Sequence, residues 1–308
     1  MLLLRKIAAK AYNSQDAFWH RAASCICPGE CFDLVMERQR GFEPYCTLSF
    51  DCDFPRDIEV LPQLADVLER AGYSASFACI GQWVRRFPDP HRRLVAGGHE
   101  LINHTETHPN LYHPDYAYAR EEGLSREKFN TLTREERKAE IARCHQTFVE
   151  VLDYVPAGFR TPHFGVLHVD DVYAILGELG YAFSSSLLAA GPRGGTPFRI
   201  DENIWEFPVS PCPLHPFGVF DSWHSLGKNR PAHCRPGELT TLFARLGDRV
   251  EENGGYVNVY FDPREALESG ELQGILQQLQ RRRIEVGTYG DLLERLQCRE
   301  GTVRSSVQ

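Results

Sequence analysis

The sequence predicts an α/β protein: a distorted (β/α) barrel of seven or eight units with parallel strands, in a single domain carrying a short N-terminal extension. Three observations predict it. From Tyr45 onward, short apolar runs alternate with segments of helical period, the signature of repeated strand-helix units. These units fill residues 44–298, close to the ~250 residues of a usual barrel. Residues of chemical character stand just past the carboxyl ends of several expected strands, which share one face in a parallel barrel.

The elements follow in order. Residues 1–43 do not join the alternation and form the extension. The first unit is a strand Tyr45 to Phe50 and a helix Ile58 to Ala71, where Leu61, Leu64, Val67 and Leu68 recur at helical spacing and Gly72 supplies the stop. A strand Ala75 to Ile80, one helix Gln82 to Ala96 ending at Gly97-Gly98, and a strand His99 to Ile102 come next. Thr133 and Glu136 form a capping-box pattern before a helix whose apolar face is Ile141, Cys144, Phe148, Val151 and Leu152. Gly158-Phe159 enters a strand, followed by a helix Asp170 to Leu179 and strands at Tyr181 to Ser185 and Ile204 to Val209. A helix Gly237 to Glu252, a strand Tyr256 to Tyr260, a helix to Arg283, a strand Ile284 to Val286 and a helix Asp291 to Leu296 close the series. Residues 299–308 read as a disordered tail.

Composition narrows the function classes. With 42% hydrophobic and 25% charged residues, the 308-residue chain has the balance of a folded globular protein. A net charge of -8 disfavours a nucleic-acid partner, which needs a basic face to neutralise phosphates. The run Arg281-Arg282-Arg283 is too short to change that and suits a helix end. No window approaches the roughly 20 apolar residues of a membrane-spanning helix. Arg5, Lys6 and Lys10 interrupt the apolar start before a signal-peptide core forms, so the chain is expected in the cytoplasm. Residues 1 to 19 are expected as a short amphipathic helix that docks on the core, with peripheral membrane contact as the second reading. The oligomeric state is not legible. Ten cysteines, including Cys25, Cys27 and Cys31, read as reduced thiols; the Cys-x-Cys-x3-Cys spacing lacks paired Cys-x2-Cys knuckles, and no role follows for it.

The chemistry concentrates in a few positions. His104 and His108 are four apart, and on a helical turn such imidazoles share a face and can hold one cation. Asp53 adds a carboxylate, and two imidazoles with one carboxylate leave positions open for water and substrate, as a catalytic zinc site needs. In an extended Ser49 to Asp53, alternation sends Asp51 and Asp53 to one side and Cys52 to the other. One carboxylate can then bind metal while its neighbour, Asp51, takes a proton from water. Arg160, at a strand end before Pro162, suits the pairing that fixes Asp51.

These residues carry a family resemblance. Ser49-Phe50-Asp51-Cys52-Asp53 resembles the first motif of NodB-like polysaccharide deacetylases, in the subgroup with one residue between the two aspartates. The segment from Gly98 to Pro109, with His104-Thr105-Glu106-Thr107-His108 inside it, resembles the second motif, and Phe159-Arg160-Thr161-Pro162-His163 the third. The resemblance runs in order from Pro44 to Leu296. It implies a distorted barrel and metal-dependent removal of acetyl from an N-acetylated sugar, whether polysaccharide, lipid-linked or nucleotide-linked. Asp51 is the implied base, Asp53, His104 and His108 the implied ligands of a divalent metal, zinc first, and Arg160 the partner of Asp51. His163 and Tyr260 are placed at the substrate, with the His163 backbone N–H on the oxyanion where the family usually has tyrosine.

The match breaks at the proton donor. Val259-Tyr260-Phe261-Asp262-Pro263 carries Asp262 where such enzymes usually keep a histidine. An aspartate can protonate a leaving amine only if burial or a nearby anion raises its pKa well above about 3.9. His224 is the second candidate and His215 a weaker one. Two other readings stay open: a metal-dependent hydrolase of another C–N bond, of the cyclic-amide type, and a non-catalytic carbohydrate-binding protein that keeps the metal. Tyr112, Tyr116, Tyr118, Trp83, Trp205 and Trp223 are aromatic candidates either for stacking on sugar or for packing.

Overall fold

The computed structural model describes residues 2–14, 16–110, 125, 127–191, 195–222 and 235–305. Tyr112, Tyr116, Tyr118, Trp223 and His224 lie outside the described residues. The fold is organised on strand β1 (Tyr45–Cys52), all eight residues of which are buried. Its period of two divides the protein into two interiors. Cys46, Leu48, Phe50 and Cys52 face outward into the main core, where they meet helices α4 (Pro55–Ala71), α9 (Glu238–Asn253) and α11 (Glu271–Gln280) through side chains such as Leu61, Leu246 and Ile275. Tyr45 belongs instead to an aromatic cluster with Phe183, Phe207, Tyr256 and Tyr289. Burial on both faces is what a parallel sheet wrapped in helices demands.

On one side β1 pairs in parallel with β2 (Ser76–Cys79), then β3 (Glu100–Asn103), β4 (Gly158–Phe159), β5 (Phe183–Ser184) and β7 (Trp205–Glu206). On the other it pairs with β8 (Tyr256–Phe261), in the register Ser49 to Tyr260, while β9 (Glu285–Val286) pairs with Tyr45 and Cys46 on the β2 edge, at the start of β1. No ladder joins β7 to β8 among the described residues. Ser210 N donates to Asn258 O at 2.8 Å and a single bridge joins Asp221 to Tyr260 across the gap, while the bridge from Leu188 to Val209 continues the β5–β7 pairing. The barrel expected from the sequence is therefore present and distorted. Its regular strands shorten to two residues on the far side.

The differences from the expected elements have local causes. The single helix Gln82 to Ala96 is two, α5 (Gly81–Arg86) and α6 (Pro88–Ala96), because the residue before a proline is driven out of the helical region; Phe87 sits at φ -132°, ψ 66°. The helix running to Arg283 begins with a separate α10 (Pro263–Glu268), divided from α11 by Gly270 at φ 74°. An antiparallel strand β6 (Phe198–Arg199), which no alternation announces, pairs with β7. Helix α7 (Arg134–Leu152) starts on the expected box, with Glu136 N donating to Thr133 Oγ1 and Thr133 N to Glu136 Oε2. Helix α8 (Asp171–Glu178) also falls where expected.

The two chain ends correct the sequence reading. Residues 1 to 19 are not one helix: α1 (Leu2–Tyr12) and α2 (Ala17–Ile26) are separated by a turn, with Asp16 accepting from Phe18 N at 2.8 Å as the cap of α2. With α3 (Pro28–Arg38) they dock on the barrel, burying Ala8, Ala11, Tyr12, Phe32 and Val35, and Tyr12 OH donates to Ala189 O at 3.0 Å. The last helix, α12 (Tyr289–Ser305), takes in residues 299–305, which read as a disordered tail. Ion pairs hold it there: Glu300 accepts from Arg199 Nε at 3.1 Å, and Arg299 pairs with Glu43. The described cysteines, Cys25, Cys27 and Cys31 among them, are free thiols, as expected. No described helix is long and apolar enough to cross a membrane.

Candidate active site

The two histidines do not share a helical turn. They sit on an irregular loop after β3 in which Thr105 and His108 both take left-handed backbone angles, φ 68° and 52°. Such angles cost a non-glycine residue about 1–3 kcal/mol each and persist only where the surroundings impose them. Here the surroundings do so. Asn103 Oδ1 accepts from Thr105 N at 2.8 Å, Thr105 Oγ1 accepts from His108 N at 3.0 Å, and Glu140 of α7 accepts from Thr107 N at 2.9 Å. Asn103 is itself pinned by donating to Ile141 O at 2.9 Å and Tyr181 OH at 2.7 Å. Gly81 lets the loop approach α5, since a Cβ there would lie 2.0 Å from Glu106 Oε2.

This loop brings His104 Nε2 to 3.4 Å and His108 Nε2 to 3.6 Å from Asp53 Oδ1. All three atoms are buried without a hydrogen-bond partner among the described residues. Three unsatisfied polar atoms converging on one point are costly without a ligand. Donors at about 2.0–2.1 Å from a tetrahedral cation stand about 3.4 Å apart, and these three lie within 4.8 Å of one another, so the set fits a divalent metal. His104 Nδ1 hydrogen-bonds Arg160 O at 2.8 Å, which aims Nε2 inward in the manner of metal-binding histidines. Burial pushes His108 down to about 4, so its ring is neutral and offers a lone pair. Asp53 is lowered to about 2, because its neighbours His108 and His104 overcome a burial that alone would raise it. Trp83, packed in the main core, donates from Nε1 to Asp53 O at 2.9 Å.

Asp51 lies beside this set, paired with Arg160 at 2.5 Å. Arg160 is completely buried, and nearly every direction of its fork is used. Nε donates to Ser185 O at 3.1 Å, and Nη2 to Ser49 Oγ at 3.0 Å, Ser185 Oγ at 3.1 Å and Tyr289 OH at 2.5 Å. Tyr289 OH donates on to Asn258 Oδ1 at 2.8 Å. Burial raises Asp51 above the usual carboxylate range, and the guanidinium is the chief opposing influence. We expect Tyr289→Phe, which takes one acceptor from Arg160 Nη2 and leaves the buried Asn258 Oδ1 without its donor, to cost about 1–3 kcal/mol of stability, read as a lowered melting temperature with unchanged metal content.

A cavity of about 380 Å³ opens on these residues, lined by Asp51, Asp53, His108, His163, Tyr260 and Asp262, with Phe164, Val166, Leu188, Phe217 and Val219 as its apolar walls. Four strand ends thus deliver the expected residues to one pocket. His163 and Phe164 turn the wall through left-handed angles, φ 58° and 51°. Burial raises Asp262 well above the carboxylate range, and Glu265, Asp57, Asp53 and Asp221 add to the effect. Its Oδ2 is buried without a partner among the described residues. His215 does not line the cavity; it sits in a turn where its carbonyl accepts from Gly218 N at 2.7 Å. Trp205 packs in the aromatic cluster at the base of the barrel.

Residues 39–184 match the family model for polysaccharide deacetylase. Over that segment the chain is similar to polysaccharide deacetylases. Among curated relatives, a chitooligosaccharide deacetylase of Bradyrhizobium is 36% identical over 85 residues, which are 28% of this chain and 32% of the relative. A peptidoglycan-N-acetylglucosamine deacetylase of Bacillus cereus is 39% identical over 64 residues, 21% of this chain and 22% of the relative. The matched stretch thus spans a third or less of these relatives. The fold likeness extends further. A candidate polysaccharide deacetylase from Mycobacterium smegmatis superposes with a TM-score of 0.65 at 16% identity, over 84% of this chain and 93% of that one. A CE4 family pseudoenzyme from Bacillus anthracis gives a TM-score of 0.52 at 17% identity, over 82% and 66%. The deacetylase segment contains Asp51, Asp53, His104, His108, Arg160 and His163, whereas Tyr260, Asp262 and Tyr289 lie beyond it.

Proposed function

We propose that the protein is a metal-dependent hydrolase of the acetamide of an N-acetylated sugar, releasing acetate. The observation that carries this is the convergence of Asp53, His104 and His108, with their inward atoms unsatisfied, next to a base fixed by arginine inside an open cavity. A divalent cation held by the three would polarise the acetamide carbonyl and acidify water. Asp51 accepts the proton of the attacking water, and Arg160 keeps its carboxylate oriented. The backbone N–H of His163 donates to the oxygen on which charge develops, and the Tyr260 ring lines the sugar side of the cavity. Asp262 delivers the proton to the departing amine.

The test is acetate release from a panel of acetylated oligosaccharides, lipid-linked sugars and nucleotide sugars, before and after chelation and zinc return. Bound zinc with no acetate from any member would instead support a non-catalytic protein, and ring opening of a cyclic amide would support the other C–N hydrolase.

Asp262→Asn and His224→Ala separate the two proton donors. An acid of raised pKa stays protonated to higher pH, so Asp262→Asn is expected to lose about 10²–10⁴-fold in rate together with the alkaline limb that Asp262 creates. Stability moves the other way. A carboxyl raised on folding binds its proton more tightly in the native state, so wild type loses stability as pH climbs from the unfolded to the folded pKa. The amide escapes that loss, and the metal-free variant is expected to melt above wild type at neutral pH. Loss of rate in His224→Ala alone, with Asp262→Asn active, would assign the proton to His224.

A further inference from the structure

Helix α2 is apolar on two sides. Ala23 of α2 and Cys27 after it are buried against α1 and α3 in a cluster that Trp19 joins. The opposite stripe carries Phe18, Ala22, Cys25 and Ile26 at helical spacing, with Phe18 68% and Ile26 56% exposed. A helix apolar on both sides calls for cover on both. The four-residue connection 13–16 makes α1 and α2 an antiparallel pair, so the exposed Leu2 and Leu3 stand at the Ile26 end.

Charge indicates what covers this stripe. Residues 2–26 carry Arg5, Lys6, Lys10 and Arg21 against Asp16 alone, in a chain of -8; Arg5 pairs with Glu37 of α3 and Lys10 lies over the Trp19 ring, which leaves Lys6 and Arg21 as the cations beside the stripe. Aliphatic and aromatic side chains flanked by cations on a surface helix match the boundary of an anionic bilayer. Position relates α2 to the cavity. His20, on the side of α2 turned away from this stripe, stacks on Phe217 at 4.4 Å and 8°, and Phe217 lines the cavity beside Val166, itself 71% exposed, so α2 borders the cavity wall while its stripe faces outward.

We propose that the α1–α2 pair is a docking surface for anionic membranes that holds the cavity mouth at headgroup level. Resting on the deacetylase reading above, this makes the substrate an amphiphile whose acetylated sugar head enters the cavity while its apolar tail stays in the bilayer.

Flotation of the full chain with vesicles of phosphatidylcholine, alone or mixed with phosphatidylglycerol, tests this. Wild type is expected to float with the mixed vesicles. The double variant Phe18→Asp/Ile26→Asp, at unchanged melting temperature, is expected to bind at least about tenfold less, and Lys6→Glu/Arg21→Glu to lose about tenfold or more on the mixed vesicles. Absence of wild-type flotation, or flotation retained by the aspartate pair, would overturn the proposal. So would a wild-type dimer in sedimentation that the aspartate pair dissolves while flotation persists, since a second copy would then be the cover. Failed flotation with acetate still released from soluble sugars removes the docking surface only; flotation with no acetate from any substrate removes the deacetylase reading only.

Discussion

Asp51→Asn is expected to keep its metal and lose about 10²–10⁴-fold in turnover, the range that a positioned general base contributes, while His104→Ala loses metal and activity together. The two substitutions sit within one cluster but act on different atoms. Asp51 contributes no atom to the converging set of Asp53, His104 and His108. An amide at position 51 can still accept from Arg160 Nη1 but cannot take a proton from water. Removing the His104 imidazole deletes one of three donors, and with it the hydrogen bond to Arg160 O that orients the set. Metal analysis of the folded, purified variants beside acetate release reads both quantities. Full turnover by Asp51→Asn would remove Asp51 as base, and stoichiometric metal in His104→Ala would remove His104 as ligand.

What the sequence made legible, and what it hid, divides along the range of the interaction. Asp51 and Asp53 were readable because a strand alternates with period two: both line the cavity while Cys52 joins the opposite core. His104 and His108 come together for a different geometric reason than the one their spacing suggests. Their i, i+4 spacing is that of a helical face, yet the structure meets the same requirement with two left-handed residues clamped by Asn103 and Glu140. No local pattern announces such a loop, because the clamp on α7 lies more than thirty residues downstream. Tyr289 was missed for the same reason. It joins Arg160 from 129 residues away, and as the first residue of α12 it reads as an ordinary core aromatic. The isolated contacts of Ser210 and Asp221 with β8 have no sequence signal, because single bonds and bridges have no periodicity. Asp262 was legible only as a departure. Its surroundings, in which Glu265, Asp57, Asp53 and Asp221 crowd one carboxyl, belong to the folded chain alone.

Arg160→Met is expected to cost the most stability of any substitution at the site, about 3–5 kcal/mol, because it leaves a buried carboxylate without its cation. Asp51, Ser49, Ser185 and Tyr289 would all lose a donor at once. The rate should also change shape with pH. Burial already raises Asp51, and the guanidinium chiefly opposes it. Without Arg160 the folded-state pKa rises further, so the base stays protonated to higher pH and the acidic limb of the rate profile moves in the alkaline direction. Stability follows the same sign. A carboxyl raised on folding loses stabilising protonation as pH climbs from the unfolded to the folded pKa, so the deficit of Arg160→Met should be smallest in mild acid and largest above neutrality. Metal content, by contrast, should survive in the folded fraction, since His104 Nδ1 bonds the backbone carbonyl of residue 160. Arg160→Lys distinguishes charge from geometry. A single ammonium can face Asp51 but cannot also reach Ser185 O, Ser49 and Tyr289 as the planar fork does. Partial recovery of the acidic limb with poor recovery of melting temperature is the expected result, and complete recovery of both would show that charge alone suffices.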